Sequence, residues 1–220
     1  MKKLFISFAL FAIATTGFSQ VLKPVKIDSL VTVSLPTDYQ KKDTLGQQIY
    51  SANGLVGFFE VIKAANVKNT APLKNQKDLN KVFNEYIKTI LAQSNKGTTK
   101  DVRDTIIGTL KAKLFTLVSE DNTSQVQLRN MVLIYTTEAT YTFEYTYPEF
   151  RKDLIKDEYK VFISSIKFAP NLQRNDQYLF NAKGGMTILA KMALLSSILL
   201  IVIIIIAVVR RKKKRNKRKR

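Results

Sequence analysis

The order of hydrophobic and polar residues predicts an opening strand followed by a β-hairpin. Residues 30–35 alternate between apolar and polar side chains, as expected for a strand with one buried face. Two further strand-like segments, 47–51 and 55–62, lie on either side of Asn53 and Gly54. An Asn-Gly pair between apolar segments is a strong signal for a tight turn, so we expect these two segments to pair.

The same pattern predicts two amphipathic helices. In the first helix, seven apolar residues recur at helical spacing: Leu79, Val82, Phe83, Tyr86, Ile87, Ile90 and Leu91. The second helix is predicted over residues 150–167, after Pro148 ends the preceding strand. Apolar stripes of this kind usually pack on a sheet, and we interpret both helices in this way.

Four more strands are predicted between the helices, over residues 104–109, 111–118, 124–135 and 139–147. Together with the earlier segments they give the α+β fold class. We expect one exported domain, in which an antiparallel sheet of about five to seven strands packs with two main helices.

The last predicted strand has two chemically different faces, because successive side chains of a strand point to opposite sides. One face is aromatic and carries Tyr141, Phe143, Tyr145 and Tyr147. We interpret this row as a core face, although an aromatic row can also stack on bases or sugars. The other face is predicted to be polar and carries Thr140, Thr142, Glu144 and Thr146.

Several segments resemble the PsbP-like α/β/α domain family. The resemblance covers residues 27–168 and is carried by VTVSLP, the Asn-Gly hairpin, DLNKVFNEYIKTIL, YTFEYTY and EYKVFISSIKF. It implies a non-enzymatic accessory or binding protein, often an exported one. No functional motif of that family is matched, so the resemblance supplies no functional residue. The usual members also lack the C-terminal segments described below.

The N-terminus has the layout of a secretory signal peptide over residues 1–19. Two lysines precede an apolar run over residues 4–14, which is too short to span about 30 Å of hydrocarbon. Small residues follow, and cleavage is predicted between Ser19 and Gln20. The exported domain would then occupy residues 20–170. A buried N-terminal helix of the mature fold is the alternative interpretation.

The C-terminus predicts a membrane anchor. After a polar linker over residues 171–185, residues 186–209 are predicted to form one transmembrane helix. Its last 18 residues carry no charge, and a helix of that length spans about 27 Å. A buried core element is the alternative, but 18 residues is too long for a typical strand.

A basic tail follows over residues 210–220, in which only Asn216 is not Lys or Arg. Basic residues beside a spanning helix stay in the cytoplasm, so we expect a single-pass protein of the bacterial inner membrane with its N-terminal domain in the periplasm. Contact with anionic lipid is predicted for Lys191, Arg210, Arg211, Lys212, Lys213, Lys214 and Arg215. A specific cytoplasmic partner and, less favoured still, nucleic acid are alternative partners of the tail.

Composition limits the possible chemistry. The chain has no Cys and no His, which excludes disulfides, Cys-ligated zinc and the Ser-His-Asp triad. The formal net charge of +19 belongs mainly to the tail, since residues 20–183 carry only +6. The exported domain is therefore mildly basic, and we do not expect it to bind a polyanion such as nucleic acid.

No catalytic, cofactor-binding or metal-binding residue is predicted. The pairs Asp101 with Asp104 and Glu120 with Asp121 are interpreted as solvated turns, because Ca²⁺ loops space their ligands differently. We expect a non-catalytic binding or assembly module that has a protein partner in the envelope. The alternatives are an anchored hydrolase that uses carboxylates alone and a surface protein with a C-terminal sorting signal.

Overall fold

The computed structural model describes residues 22–67 and 71–179. Its helices are α1 (Gln76–Gln93) and α2 (Lys156–Ser164). Short 3-10 turns occur at Glu149–Arg151 and Arg174–Asp176. The strands are β1 (Leu22–Lys26), β2 (Val31–Pro36), β3 (Gln40–Thr44), β4 (Gln47–Asn53), β5 (Phe58–Ala65), β6 (Thr98–Ile107), β7 (Leu110–Glu120), β8 (Val126–Tyr135), β9 (Ala139–Pro148) and β10 (Lys167–Phe168).

The strands form two antiparallel sheets. Seven of them pair in the order β3-β4-β5-β9-β8-β7-β6, and three pair in the order β1-β2-β10. The α+β class is confirmed, but the strand count exceeds the predicted five to seven. The three strands that were not predicted are β1, β3 and β10, and two of them, β1 and β10, pair with the opening strand β2 in a separate small sheet.

The predicted hairpin is confirmed as the pairing of β4 with β5. Its connection is longer than a two-residue turn and covers residues 54–57, where the Gly54 N–H donates to the Gly57 carbonyl at 2.7 Å. The edge strand β3, which had no clear sequence signal, extends this hairpin into a three-stranded meander.

Helix α1 covers one face of the large sheet. Asn75 caps its N-terminus, where the side-chain oxygen accepts hydrogen bonds from the backbone N–H groups of Lys77 and Asp78. Leu79, Phe83 and Ile87 are its buried residues, and they join the core cluster that contains Phe115, Leu117, Met131 and Leu133 of the underlying strands. The predicted amphipathic helix is therefore confirmed.

The small sheet and α2 cover the opposite face. Val31, Val33 and Leu35 of β2 belong to the same buried cluster as the aromatic row of β9, and so does Phe162 of α2. The prediction that this row is a core face is confirmed, since Tyr141, Phe143, Tyr145 and Tyr147 are all buried.

The second predicted helix, 150–167, was wrong in extent. The chain makes a 3-10 turn at Glu149–Arg151, and α2 begins only at Lys156. Phe150 and Leu154 are 75 % and 67 % exposed, so these two apolar residues bury nothing that would stabilise two further helical turns.

The fold also continues beyond the predicted boundary at residue 170. Leu172, Gln177 and Tyr178 are buried, and the Gln177 side-chain amide donates to the carbonyls of Lys111 and Tyr135. Residues 171–179 therefore pack on the domain. They are not the start of the expected polar linker.

Candidate functional site

A groove lies on the large sheet between its edge strand β6 and helix α2. One half has a volume of about 420 Å³ and is lined by residues of β6, β7, β8 and β9. The other half is lined mainly by α2. The halves share Arg103, Leu114, Lys152 and Tyr159, so they form one continuous depression, which we call the basic groove.

A β-bulge in β6 brings two cations to the same side of the groove. Lys100 pairs with Thr116, whereas Arg103 pairs with Leu114, so one extra residue is inserted in β6. In a regular strand, residues three apart point to opposite faces. Because the bulge inserts one residue, Lys100 and Arg103 both face the groove, and Asp101 within the bulge has a φ of 55°.

Helix α2 and the turn before it add three more cations. Lys156 and Lys160 are four residues apart in α2, which places them on one side of the helix, and Lys152 of the preceding turn lines the same groove. Their side chains are exposed, and no ion pair joins any of the groove's five basic residues to an acid among the described residues.

The floor of the sheet-side half combines the apolar residues Leu114 and Leu128 with polar groups. The Thr116 hydroxyl donates to Asn130 Oδ1 at 2.9 Å, and the Tyr147 hydroxyl lies 3.5 Å from the same oxygen. The amide oxygen of Asn130 is thus occupied, while its NH₂ group has no acceptor among the described residues. The groove therefore offers hydrogen-bond donors beneath its basic rim.

Tyr159 stands where the two halves meet. Its ring packs beside that of Tyr145, with centroids 5.8 Å apart. Burial raises the pKa of Tyr159 to about 12, although the positive charge of Arg103 acts in the opposite direction. The hydroxyl therefore keeps its proton at neutral pH, and no acceptor for it is present among the described residues.

The position of α2 depends on Glu158. Its carboxylate accepts hydrogen bonds from the backbone N–H groups of Leu55 and Val56, at 2.7 and 3.1 Å, and from the Tyr145 hydroxyl. These contacts join α2 to the β4–β5 connection and to the sheet. Gly57 is required in that connection, because a Cβ there would lie 2.6 Å from the Tyr145 ring and 2.7 Å from the Thr146 carbonyl oxygen.

The other face of the sheet holds a second group of charges. Glu60 of β5 and Glu144 of β9 are register partners. Arg129 of β8 lies 3.5 Å from Glu144, and the Tyr86 hydroxyl of α1 lies 2.6 Å from that of Thr142. Burial, reinforced by the negative charge of Glu60, raises the pKa of Glu144 to about 7.

This second group bears on two predictions. The even-numbered face of β9 was predicted to be polar, and the structure buries Thr142 and Glu144 of that face. Two carboxylates do come together, as the hydrolase hypothesis requires. However, neither lines the basic groove, and Tyr86 of α1 lies beside them.

Three of the four acids considered as pairs from the sequence have other partners in the structure. Asp104 pairs with Lys113, and Glu120 pairs with Lys96 at 2.7 Å. Asp121 accepts hydrogen bonds within its own turn, chiefly from Thr123 and Gln125, and its pKa falls to about 2. Within residues 22–67 and 71–179, no three acidic residues are close enough to hold a metal ion.

The predicted membrane-related sites lie outside the described residues. These are the cleavage site at Ser19 and Gln20, the span 186–209, and the lipid contacts Lys191, Arg210, Arg211, Lys212, Lys213, Lys214 and Arg215. No helix within residues 22–67 and 71–179 combines the length and hydropathy needed to cross a bilayer.

The residues of the basic groove were not singled out from the sequence. One signal was available: Lys152, Lys156 and Lys160 recur every four residues, beside the apolar stripe of the predicted helix. The contribution of Lys100 and Arg103 had no such signal, because it depends on the bulge.

Comparisons with known proteins give loose structural similarity only. The chain is similar to the solution structure of PsbP from the cyanobacterium Synechocystis, with 15% identity over 70% of this chain and 96% of that one, at a TM-score of 0.48. It is similar to a Pseudomonas aeruginosa protein of unknown function, PA94, with 12% identity over 68% of this chain and 99% of that one, at a TM-score of 0.46.

A protein from Bacteroides thetaiotaomicron is similar with 11% identity over 64% of this chain and 46% of that one, at a TM-score of 0.41. No protein-family model matches the chain, and no curated protein matches it. At these scores no residue role or partner is carried over, and membership of the PsbP-like family stays a prediction.

Proposed function

We propose that the chain is a membrane-anchored envelope protein whose exported domain is a non-catalytic binding module, and that the basic groove holds an anionic ligand. The single observation behind the binding role is that cations with no ion-pair partner among the described residues converge on one depression. Arg103 comes from the bulged edge strand and Lys152 from the turn before α2, and they meet at Tyr159.

The charge distribution of the groove favours an anion. Around the α2-side half, four basic residues face a single acid, Asp153. Around the sheet-side half the balance is closer, since Asp101 and Glu149 accompany three basic residues. Clefts that are lined by one sign of charge concentrate ligands of the opposite sign. The ligand's charge would therefore sit near Arg103 and Lys152, which border both halves.

A non-catalytic role is supported by the composition of the groove. Most of its charged side chains are basic, with Asp101, Glu149 and Asp153 as its acids, and the chain contains no His or Cys to act as base or nucleophile. The Tyr159 hydroxyl stays protonated near neutral pH, because its pKa is raised. It is therefore suited to donating a hydrogen bond and unsuited to accepting a proton.

The binding role is tested with methyl phosphate as a small anionic probe. The full chain is placed in nanodiscs of zwitterionic phosphatidylcholine, and binding is measured by titration calorimetry against empty nanodiscs. We expect the double variant Arg103→Gln with Lys152→Gln to weaken binding about tenfold or more, since a charge-assisted hydrogen bond contributes about 1.5–3 kcal/mol. Binding should also weaken as salt is raised.

The matched control removes two cations elsewhere. Lys42→Gln with Lys77→Gln changes the net charge equally, and both lysines are exposed residues outside the groove. Binding should be unchanged in this control. If both double variants weaken binding equally, or if the wild-type chain does not bind the probe, the binding role of the groove is wrong.

Anchoring and orientation are tested separately, because they rest on the sequence pattern of residues 1–19 and 186–220. A reporter enzyme fused after Arg220 should behave as cytoplasmic. Periplasmic activity of that fusion would refute the proposed topology. Mass spectrometry of the mature protein should find the peptide from Met192 onward retained, whereas its removal would favour the sorted surface protein.

A further inference from the structure

We infer that the ligand of the basic groove is an amphiphile with one anionic head group and one acyl chain. This inference rests on the proposed binding function and goes further, because it assigns different chemistry to the two halves of the groove. A simple anion needs only the basic rim. The α2-side half adds an apolar surface that an anion alone would leave exposed to water.

The α2-side half has an apolar floor. Leu114 comes from β7, Ile155 directly precedes α2, and Ile163 lies in its last turn. Ile155 is buried, whereas Leu114 and Ile163 are only partly buried and still present apolar surface to the groove. With the ring of Tyr159 they form a trench along α2, which has nine residues and is therefore about 13 Å long.

The trench lies below a row of lysines. Lys156 and Lys160 line it together with the apolar residues. Long lysine side chains place their methylene stems along apolar surface while the ammonium group stays in water. A bound acyl chain would thus contact both the trench floor and these stems, and each methylene group removed from water would strengthen binding.

The head group fits where the halves meet. Arg103 and Lys152 supply positive charge there, and the Tyr159 hydroxyl supplies a donor. Beyond this junction, the sheet-side half offers Thr116 and the Asn130 amide to polar substituents. The arrangement therefore places an oxyanion at the centre, polar substituents on the sheet side and an alkyl chain along α2.

A membrane-anchored domain would meet such ligands at the bilayer surface. Anionic lipids and free fatty acids share this chemistry, and head-group comparison distinguishes them. An acidic peptide is the competing ligand, and it would use the basic rim with no requirement for an alkyl chain. The surface of the bilayer is a second competing ligand, but binding to a flat surface would not require the sheet-side half of the groove.

The test compares ligands that differ in one part at a time. The full chain in phosphatidylcholine nanodiscs is titrated with methyl phosphate, octyl phosphate, octanoate and octyl glucoside, with empty nanodiscs as the blank. We expect octyl phosphate to bind at least about tenfold more tightly than methyl phosphate, because the chain leaves water when it enters the trench. The uncharged octyl glucoside should bind at least about tenfold more weakly than octyl phosphate.

Two variants test which part of the groove binds the alkyl chain and which part binds the phosphate. Ile163→Thr places a hydroxyl in the trench and should reduce the preference for octyl phosphate over methyl phosphate, while leaving methyl phosphate binding unchanged. Arg103→Gln with Lys152→Gln should weaken both phosphates and leave octyl glucoside unchanged. Thermal unfolding of each variant checks that the fold is retained. Since the ligand series also works on the wild-type chain, an unfolded variant does not remove the test.

The outcomes separate the two claims. Equal affinity for methyl and octyl phosphate would overturn the amphiphile while leaving anion binding intact. Absence of any phosphate binding would overturn the proposed function itself. Equal affinity for octyl phosphate and octyl glucoside would overturn the anionic head group. If octanoate matches octyl phosphate, the ligand class is a fatty acid. If only octyl phosphate shows the gain, the class is a phosphate-bearing lipid.

Discussion

The two faces of strand β9 place carboxylates in opposite electrostatic surroundings. On the odd-numbered face, Tyr141 donates a hydrogen bond to Asp28 at 2.7 Å, and Tyr145 donates one to Glu158. On the even-numbered face, Glu144 faces Glu60, and its nearest cation is Arg129 at 3.5 Å. One face thus gives its acids hydrogen-bond donors, and the other gives its acid a second negative charge.

The two surroundings shift the pKa values of Asp28 and Glu144 in opposite directions. Burial alone would raise the pKa of Asp28, but hydrogen bonds from Lys63, Tyr141 and the Leu30 N–H outweigh it and lower the pKa. The pKa of Glu144 rises to about 7, because burial and Glu60 act together. The alternation of side chains along a strand decides to which face of the sheet each side chain points. The elements packed on that face then decide whether the pKa of a carboxyl group is raised or lowered.

The largest effect is expected where the β4–β5 connection touches the tyrosine face. Gly57→Ala would put a methyl group 2.6 Å from the Tyr145 ring and 2.7 Å from the Thr146 carbonyl oxygen, so the backbone must move. We expect a loss of about 3 kcal/mol in the free energy of unfolding, measured by urea denaturation. Anion binding should also weaken, because the connection holds α2 through Glu158.

Gly46→Ala is the matched control for this change. Gly46 has a φ of +77°, but nothing lies within 4 Å of the added methyl group. We expect a loss of about 1 kcal/mol from backbone strain alone, with anion binding unchanged. If the two substitutions destabilise the protein equally, close packing on Tyr145 is not what requires Gly57.

The sequence predicted the local elements well where one pattern decided them. The stripe from Leu79 to Leu91 predicted α1, and Asn53 with Gly54 predicted the hairpin. The pattern did not show which face of the sheet α1 would cover. For that reason the pattern placed Glu144 on a polar face of β9 but did not indicate that this residue is buried.

The candidate site was harder to predict because it combines segments distant in sequence. Lys100 and Arg103 share a side only because of the bulge, and no residue pattern in β6 indicates where a register shift occurs. Lys152 reaches them only because the chain makes a 3-10 turn before α2. A prediction from sequence would have needed both of these irregular features.

The second largest effect concerns the acid with a lowered pKa. Asp28→Asn removes the charge that pairs with Lys63 at 2.7 Å and weakens the acceptor of Tyr141. We expect a loss of about 2 kcal/mol in the free energy of unfolding at pH 7. The stabilisation by Asp28 is present above its unfolded pKa of about 3.9 and disappears as pH falls through the lower folded pKa.

The pH dependence provides the check on Asp28. Urea denaturation at pH 7 and at pH 3 should show the difference between wild type and Asp28→Asn shrinking at the lower pH. Asp43→Asn is the control, since Asp43 is exposed and lies 3.8 Å from the exposed Lys41. A penalty for Asp28→Asn that is the same at both pH values would mean that the ionised form is not what stabilises the fold.

A smaller effect is expected from removing one hydroxyl group on the same face. Tyr145→Phe deletes the donor to Glu158, whose carboxylate keeps the N–H groups of Leu55 and Val56. We expect a loss of about 1.5 kcal/mol in the free energy of unfolding. Tyr147→Phe should have almost no effect, because the Tyr147 hydroxyl lies 3.5 Å from Asn130 Oδ1. Equal losses in the two variants would mean that the hydrogen bond to Glu158 is not what makes the Tyr145 hydroxyl important.

The smallest effect has the opposite sign and tests the helix-covered face. Folding raises the pKa of Glu144 to about 7, above its unfolded value of about 4.3, so the folded state holds a proton that the unfolded state has lost between these pH values. The free energy of unfolding therefore decreases as pH rises through this window and stays low above it. Glu144→Gln removes the ionisation and should stabilise the protein by about 1 kcal/mol at pH 8, with almost no effect at pH 4.

The surroundings of Glu144 supply the controls for that change. Glu60 of β5, Arg129 of β8 and Tyr86 of α1 are the titratable groups beside it. Glu60→Gln removes the like charge and should give a smaller stabilisation at pH 8, because the burial of Glu144 remains. Glu138→Gln, at an exposed position, should change nothing. A loss of stability at pH 8 in Glu144→Gln would mean that Glu144 is ionised and held by Arg129. Both faces of β9 would then stabilise ionised carboxylates.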